Sequence, residues 1–165
     1  EAALAEWGRS LSTDIPDGRW QPAMANSDAH LEGQVGRPHT VVLAEQLSTD
    51  AILAGIRAGR SWIAESAAIE LSLTVSAAAR SAGMGQRLKT YNEPAQVRVE
   101  VRGVPSGRVS IHTDRGTVHR DSLPNEGSGT IEWRTSADKS AFVRVEVHHP
   151  GLHMAAFANP VILMT

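Results

Sequence analysis

The sequence predicts an α+β chain in two parts: an α/β segment over residues 1–66 and an antiparallel, immunoglobulin-like β-sandwich over residues 67–165. Three observations predict it. Up to Ser66 the apolar residues form one helical stripe, three short continuous runs and a second, capped helix, the mixture expected of α/β structure. Beyond Ser66 they alternate with polar residues at a period of two, the mark of half-buried strands. Clusters of Gly, Pro, Asn and Asp separate the alternating runs and read as turns.

Taken in order, Ala2, Ala3, Leu4, Ala5, Trp7 and Leu11 give a first helix an apolar side. Asp14-Ile15-Pro16-Asp17-Gly18 is a loop by its Pro and Gly. Gln21-Pro22-Ala23-Met24-Ala25 reads as a brief buried strand, and Asn26-Ser27-Asp28-Ala29-His30 follows where it ends. Residues i and i+2 of a strand share a side, so Asp28 and His30 are expected to project together. A carboxylate beside an imidazole suits a borderline divalent metal. Gly33, Gly36 and Pro38 make the next stretch irregular, and residues 40–44 are a second apolar strand of the kind found in parallel sheets. Ser48 or Thr49 caps a helix with Ala51, Ile52, Leu53, Ile56 and Ala58 on its apolar face, and Gly59 ends it. Ser61-Trp62-Ile63-Ala64 returns as a strand. In the second part Leu71, Leu73 and Val75, then Val97, Val99 and Val101, then Val109 and Ile111, then Ile131 and Trp133, then Val143, Val145 and Val147 mark successive buried faces. Residues 155–164 are apolar apart from Asn159, and Pro160 among them marks an edge, a bulge or the junction of two strands.

Composition excludes several functions. Sixteen basic residues against eighteen acidic ones leave a net charge of -2, which gives no electrostatic case for nucleic acid or an anionic membrane. No apolar run approaches the ~18 residues of a membrane span. With no cysteine there is no disulfide, thiolate ligand or cysteine nucleophile. No Gly-x-Ser-x-Gly nucleophile motif occurs, and Gly83-Met84-Gly85 is a turn, being too short for a phosphate loop. No signal-peptide pattern opens the chain, so a cytoplasmic location is expected; secretion stays open because the first helix looks cut off at its beginning.

Residues 26–30, followed by Gly36-Arg37-Pro38-His39-Thr40-Val41-Val42, resemble the last metal-binding motif of the PHP (polymerase and histidinol phosphatase) superfamily. The run from Leu47 through the Ala58-Gly59-Arg60-Ser61 tract to Ile63 is similar to the helix and strand that close the PHP barrel in bacterial metal-dependent phosphoesterases. Ala158-Asn159-Pro160-Val161-Ile162-Leu163 resembles the terminal segment of members that append a β-sandwich. The resemblance implies a distorted βα barrel holding two or three divalent ions (manganese, zinc or iron), with Asp28 and His30 as the final two ligands and a phosphorylated small molecule as substrate. PHP enzymes begin with a His-x-His strand and add a Glu and further His residues, none of which occurs here. The chain therefore reads as the C-terminal part of such an enzyme, with an incomplete site, no assignable catalytic residue and little activity of its own. The alternative is a non-catalytic sandwich serving packing, oligomerisation or ligand binding.

On the residues alone, a lone Asp-x-His being common, Asp28 reads as a turn cap and His30 as a surface residue; the resemblance turns the reading toward ligands. Arg37 could contact a substrate phosphate through its planar fork, and His39 could face the same site; each is equally readable as an ordinary polar loop residue. Glu32 and Glu65 read as solvated charges before they read as extra carboxylate ligands. His148, His149 and His153, around Pro150-Gly151, read as a hairpin tip at which any zinc or nickel would be adventitious, because their spacing fits no zinc pattern. His112 and His119 stand singly. Open strand edges around Met24 and Val41 favour self-association into a homo-oligomer.

Overall fold

Val97, Val99 and Val101 are fully buried while Arg98, Glu100 and Arg102 face water, so β6 (Ala95–Arg102) has one wet face and one dry one. A dry face of that kind needs a second layer. In the computed structural model, which describes residues 2–165, that layer is a larger sheet packed against the smaller one. The smaller sheet runs β4 (Arg80–Gly83), β3 (Glu70–Ala77), β6, β9 (Gly129–Thr135). The larger runs β1 (His39–Val42), β2 (Ser61–Ala64), β11 (Met154–Ala158), β10 (Phe142–His148), β12 (Val161–Met164), β5 (Arg87–Lys89). β10 also pairs with β7 (Arg108–Thr113), which carries β8 (Gly116–Ser122). Every pairing is antiparallel except β12 with β5. Leu73, Val75, Val97 and Val99 from one sheet meet Val109, Ile111, Val143, Val145 and Val147 from the other in a single core.

α1 (Ala2–Asp14) lies on the back of the larger sheet, where Leu11 and Ile15 join Phe142 and Ile162 in a second apolar cluster bordered by Trp7 and Trp20. The Trp7 indole meets the Phe157 ring at 6.1 Å between centroids. α2 (Thr49–Arg57) starts as its sequence demands, with Ser48 Oγ accepting the Ala51 N–H at 3.2 Å. Among the described residues no helix is long and apolar enough to cross a membrane.

The α/β segment differs from its sequence reading in two ways. The apolar run at residues 40–44, read as parallel, forms β1, which pairs antiparallel with β2; β2 pairs antiparallel with β11, so strands from both sides of residue 66 share one sheet, and among the described residues no piece of a βα barrel is seen. β1 is half-buried along its length and Leu43 is exposed, so the continuous apolar run establishes neither cover on both faces nor the direction of the neighbouring strand. Residues 21–25 are not a strand. Pro22 lacks an N–H, and the segment is tied down by side chains: Asn159 bonds both backbone groups of Ala23, and Thr40 Oγ1 both accepts from Ala25 N–H (2.9 Å) and donates to Ala25 O (2.8 Å). In the apolar run at residues 155–164, Asn159-Pro160 separates β11 from β12, so two strands meet there.

The end of α2 docks on the turn between β4 and β5 at Gly85. Gly85 has φ +75, and a Cβ there would lie 2.3 Å from the Ala58 carbonyl oxygen. Gly85→Ala is therefore expected to lower stability by about 2 kcal/mol, through left-handed strain and a backbone clash together. Urea unfolding checks this, and an unchanged midpoint would show that the two parts are not packed this way.

Candidate functional site

The loop carrying the predicted ligands is a turn rather than a strand end. Asn26 Oδ1 accepts the Asp28 N–H at 2.9 Å, and Asp28 takes φ +44, so Asp28 and His30 do not share a strand face. Both are exposed. The His30 backbone N–H donates to Gln34 Oε1 at 2.9 Å, and its Nδ1–H donates to the Asp28 carbonyl at 2.8 Å. A carbonyl only accepts, so the proton sits on Nδ1 and the lone pair of Nε2 remains for an outside partner. His39 repeats the arrangement, with Nδ1 donating to Gly36 O at 2.9 Å.

Among the described residues, the one set of three metal-type ligands whose donor atoms converge lies elsewhere. Glu65, His149 and His153 place theirs within 4.8 Å of one another. Three neighbouring strands of the larger sheet put them there. Glu65 follows β2, and its N–H donates to Ala155 O of β11 at 2.9 Å. His149 follows β10 and His153 precedes β11, with the hairpin between them closed by His149 N–H to His153 O at 3.0 Å. His149 Nε2 lies 2.6 Å from Glu65 Oε2, and the two imidazoles stand 4.8 Å apart, inclined by 34°. They line an open cavity of about 550 Å³ with Ser66, Arg37 and Pro38, the last two from the loop before β1. Arg37 is thus brought to these ligands, while Asp28, His30 and His39 are not among the lining residues. The hairpin is more than an isolated tip because its third partner, Glu65, stands 84 positions away, where no local spacing could reveal it.

A second polar group lies on the outward face of β10. The side chains of Arg144 and Glu146 are 7% and 13% exposed, with Arg144 Nη1 2.5 Å from Glu146 Oε1. The Arg144 guanidinium lies over the Trp7 ring and so close beneath α1 that a Cβ on Gly8 would stand 2.8 Å from Nη2. His112 Nε2 is 3.5 Å from Glu146 Oε2, so His112, which stands singly in the sequence, has a carboxylate partner in the fold. Burial pushes the Glu146 carboxyl up, but His112 and the fixed charge of Arg144 outweigh burial and hold it at about 2.

Fold and site define a β-sandwich whose larger sheet is extended by a loop-rich α/β segment, with metal-type ligands at one strand end and on one exposed loop. Residues 20–61 match the model of the family described as PHP-associated. The match takes in Asp28, His30, Arg37 and His39 together with β1 and α2, and it stops at the first residue of β2, short of Glu65, His149 and His153. No curated protein and no solved structure matches the chain.

Proposed function

We propose that the chain is the C-terminal part of a PHP-type metal-dependent hydrolase acting on phosphate esters. The observation that carries this reading is the PHP-associated match, which runs through both Asp28 and His30. Their chemistry fits a divalent ion: one carboxylate, and one imidazole whose Nδ1–H is held by a backbone carbonyl, the usual support of a ligating histidine. Manganese, zinc or iron would supply an activated water and offset charge on the leaving oxygen. Arg37 offers a planar fork to a substrate phosphate, with His39 beside it in the same loop. The substrate class is a phosphorylated small molecule, and nothing in the charge balance favours nucleic acid or membrane.

Two ligands do not hold a multinuclear centre, so the 165-residue chain alone is expected to show negligible turnover of a generic phosphate monoester with manganese or zinc. A polypeptide that includes the sequence upstream of Glu1 should turn the ester over. In that longer protein His30→Ala and Asp28→Asn should each lower kcat/KM by about 100-fold or more. Turnover by the isolated chain that vanished on His30→Ala would overturn the first expectation. A folded longer protein with no metal-dependent turnover would overturn the hydrolase reading and leave the sandwich as a packing or ligand-binding module.

A further inference from the structure

We propose that Glu65, His149 and His153 form a divalent-cation site of the zinc class, distinct from the Asp28–His30 loop and independent of the hydrolase reading. Two imidazoles and one carboxylate suit zinc, and three protein ligands leave a fourth, exchangeable position. The cavity that the three residues line has room for that fourth ligand. Zinc–ligand bonds of 2.0–2.2 Å in a tetrahedron set the donor atoms about 3.4 Å apart. The widest pair stands 4.8 Å apart and Glu65 and His149 are at 2.6 Å, so side-chain rotations of about 1 Å close the site. The backbone need not move, because each ligand sits at the end of a strand already hydrogen-bonded to the next.

The simpler account is an ion pair between Glu65 and His149. It accounts for those two residues and leaves His153 as an exposed ring beside the pair. The His153 ring stands beside a like ring at 4.8 Å, and its nitrogens make no hydrogen bond among the described residues. A second imidazole next to an already paired one adds nothing to the ion pair. A cation shared by all three accounts for the whole arrangement. Coordination through His149 Nε2 requires its proton to pass to Nδ1 or to solvent, and Glu65 then faces the ion in place of that proton.

The experiment uses the whole 165-residue chain after treatment with a chelator. Zinc titrated against a chromophoric chelator should bind at one equivalent, with a dissociation constant of about 1 μM or tighter. Cobalt(II) at the same position should give the intense visible absorption of a tetrahedral ion. His149→Ala, His153→Ala and the isosteric Glu65→Gln should each weaken zinc by about tenfold or more and abolish the cobalt band. Circular dichroism shows that each variant is folded before it is scored, and Glu65→Gln keeps the test open should a histidine variant fail to fold. The absence of zinc binding below millimolar concentration, zinc affinity unchanged in the folded variants, or binding that is lost with His30 would each overturn the site. The last outcome would leave the hydrolase reading untouched.

Discussion

Asn159→Ala is expected to cost the fold about 4 kcal/mol, the largest effect of any single substitution proposed for this chain. Asn159 is fully buried. Its Oδ1 accepts from Ala23 N–H at 2.8 Å, and its Nδ2 donates to Ala23 O at 3.1 Å, to Ser61 O at 3.2 Å and to Ser61 Oγ at 2.9 Å. The amide thus presents to Ala23 the same donor and acceptor that a neighbouring strand would. Truncation leaves the two backbone groups of Ala23 and the buried Ser61 hydroxyl without these partners, and each orphaned group costs about 1–3 kcal/mol. Water reaches half-buried Ala23 in part, which keeps the total toward the lower end of the sum over the three groups. For a domain of this size the melting temperature should fall by about 10 °C. Asn159→Asp keeps the acceptor but loses both donors and buries a charge, so it should be no better than alanine. Urea unfolding gives the energy, and faster hydrogen exchange at the Ala23 amide locates it. A loss below about 1 kcal/mol would mean that residues 21–25 are held by something other than this side chain.

The same residue shows what could be read in the sequence and what could not. Asn159 stands out as the one polar residue of an apolar run, and Pro160 beside it marks a break between strands. Its partners lie 98 and 136 positions away, so nothing local says that it stands in for a strand. For that reason residues 21–25 passed for a strand: an apolar, extended-looking pentapeptide reads the same whether a backbone ladder or a side chain satisfies it. The alternating valines of β6 and β10 were legible because burial on one face imposes a period of two on any strand, whatever its partner. Strand direction in β1 and β2 was not, since apolar content carries no sign for it. Of the candidate site, the Asp28–His30 loop was visible through contiguous motifs. The Glu65–His149–His153 group was invisible because its members come from three strand ends brought together only by the order β2, β11, β10 in the sheet.

Glu146 tests whether the buried polar group under α1 is an electrostatic asset to the fold. The carboxyl titrates at about 2 in the folded chain, against an ordinary value of 4.5. A depressed folded pKa means that ionised Glu146 favours the folded state. The stabilisation is complete above the ordinary value and disappears as the pH falls toward the folded one. At 1.36 kcal/mol per pH unit the difference amounts to about 3 kcal/mol at pH 7, and about 1 kcal/mol of it survives at pH 3. The His112 ring first and the Arg144 guanidinium second hold the carboxyl down against burial, and Arg144, 7% exposed and charged at all these pH values, has Glu146 within 2.5 Å as its counter-charge. Glu146→Gln keeps the shape and an acceptor but removes the charge, leaving the guanidinium buried beneath Gly8 with no carboxylate. The variant should therefore be less stable than the parent by about 3 kcal/mol at pH 7 and by only about 1 kcal/mol at pH 3. Urea unfolding of both proteins at the two pH values reads the difference. A gap that stayed constant with pH would trace the loss to packing alone. A gap that narrows by about 2 kcal/mol would show that the ionised Glu146 carboxylate stabilises the fold.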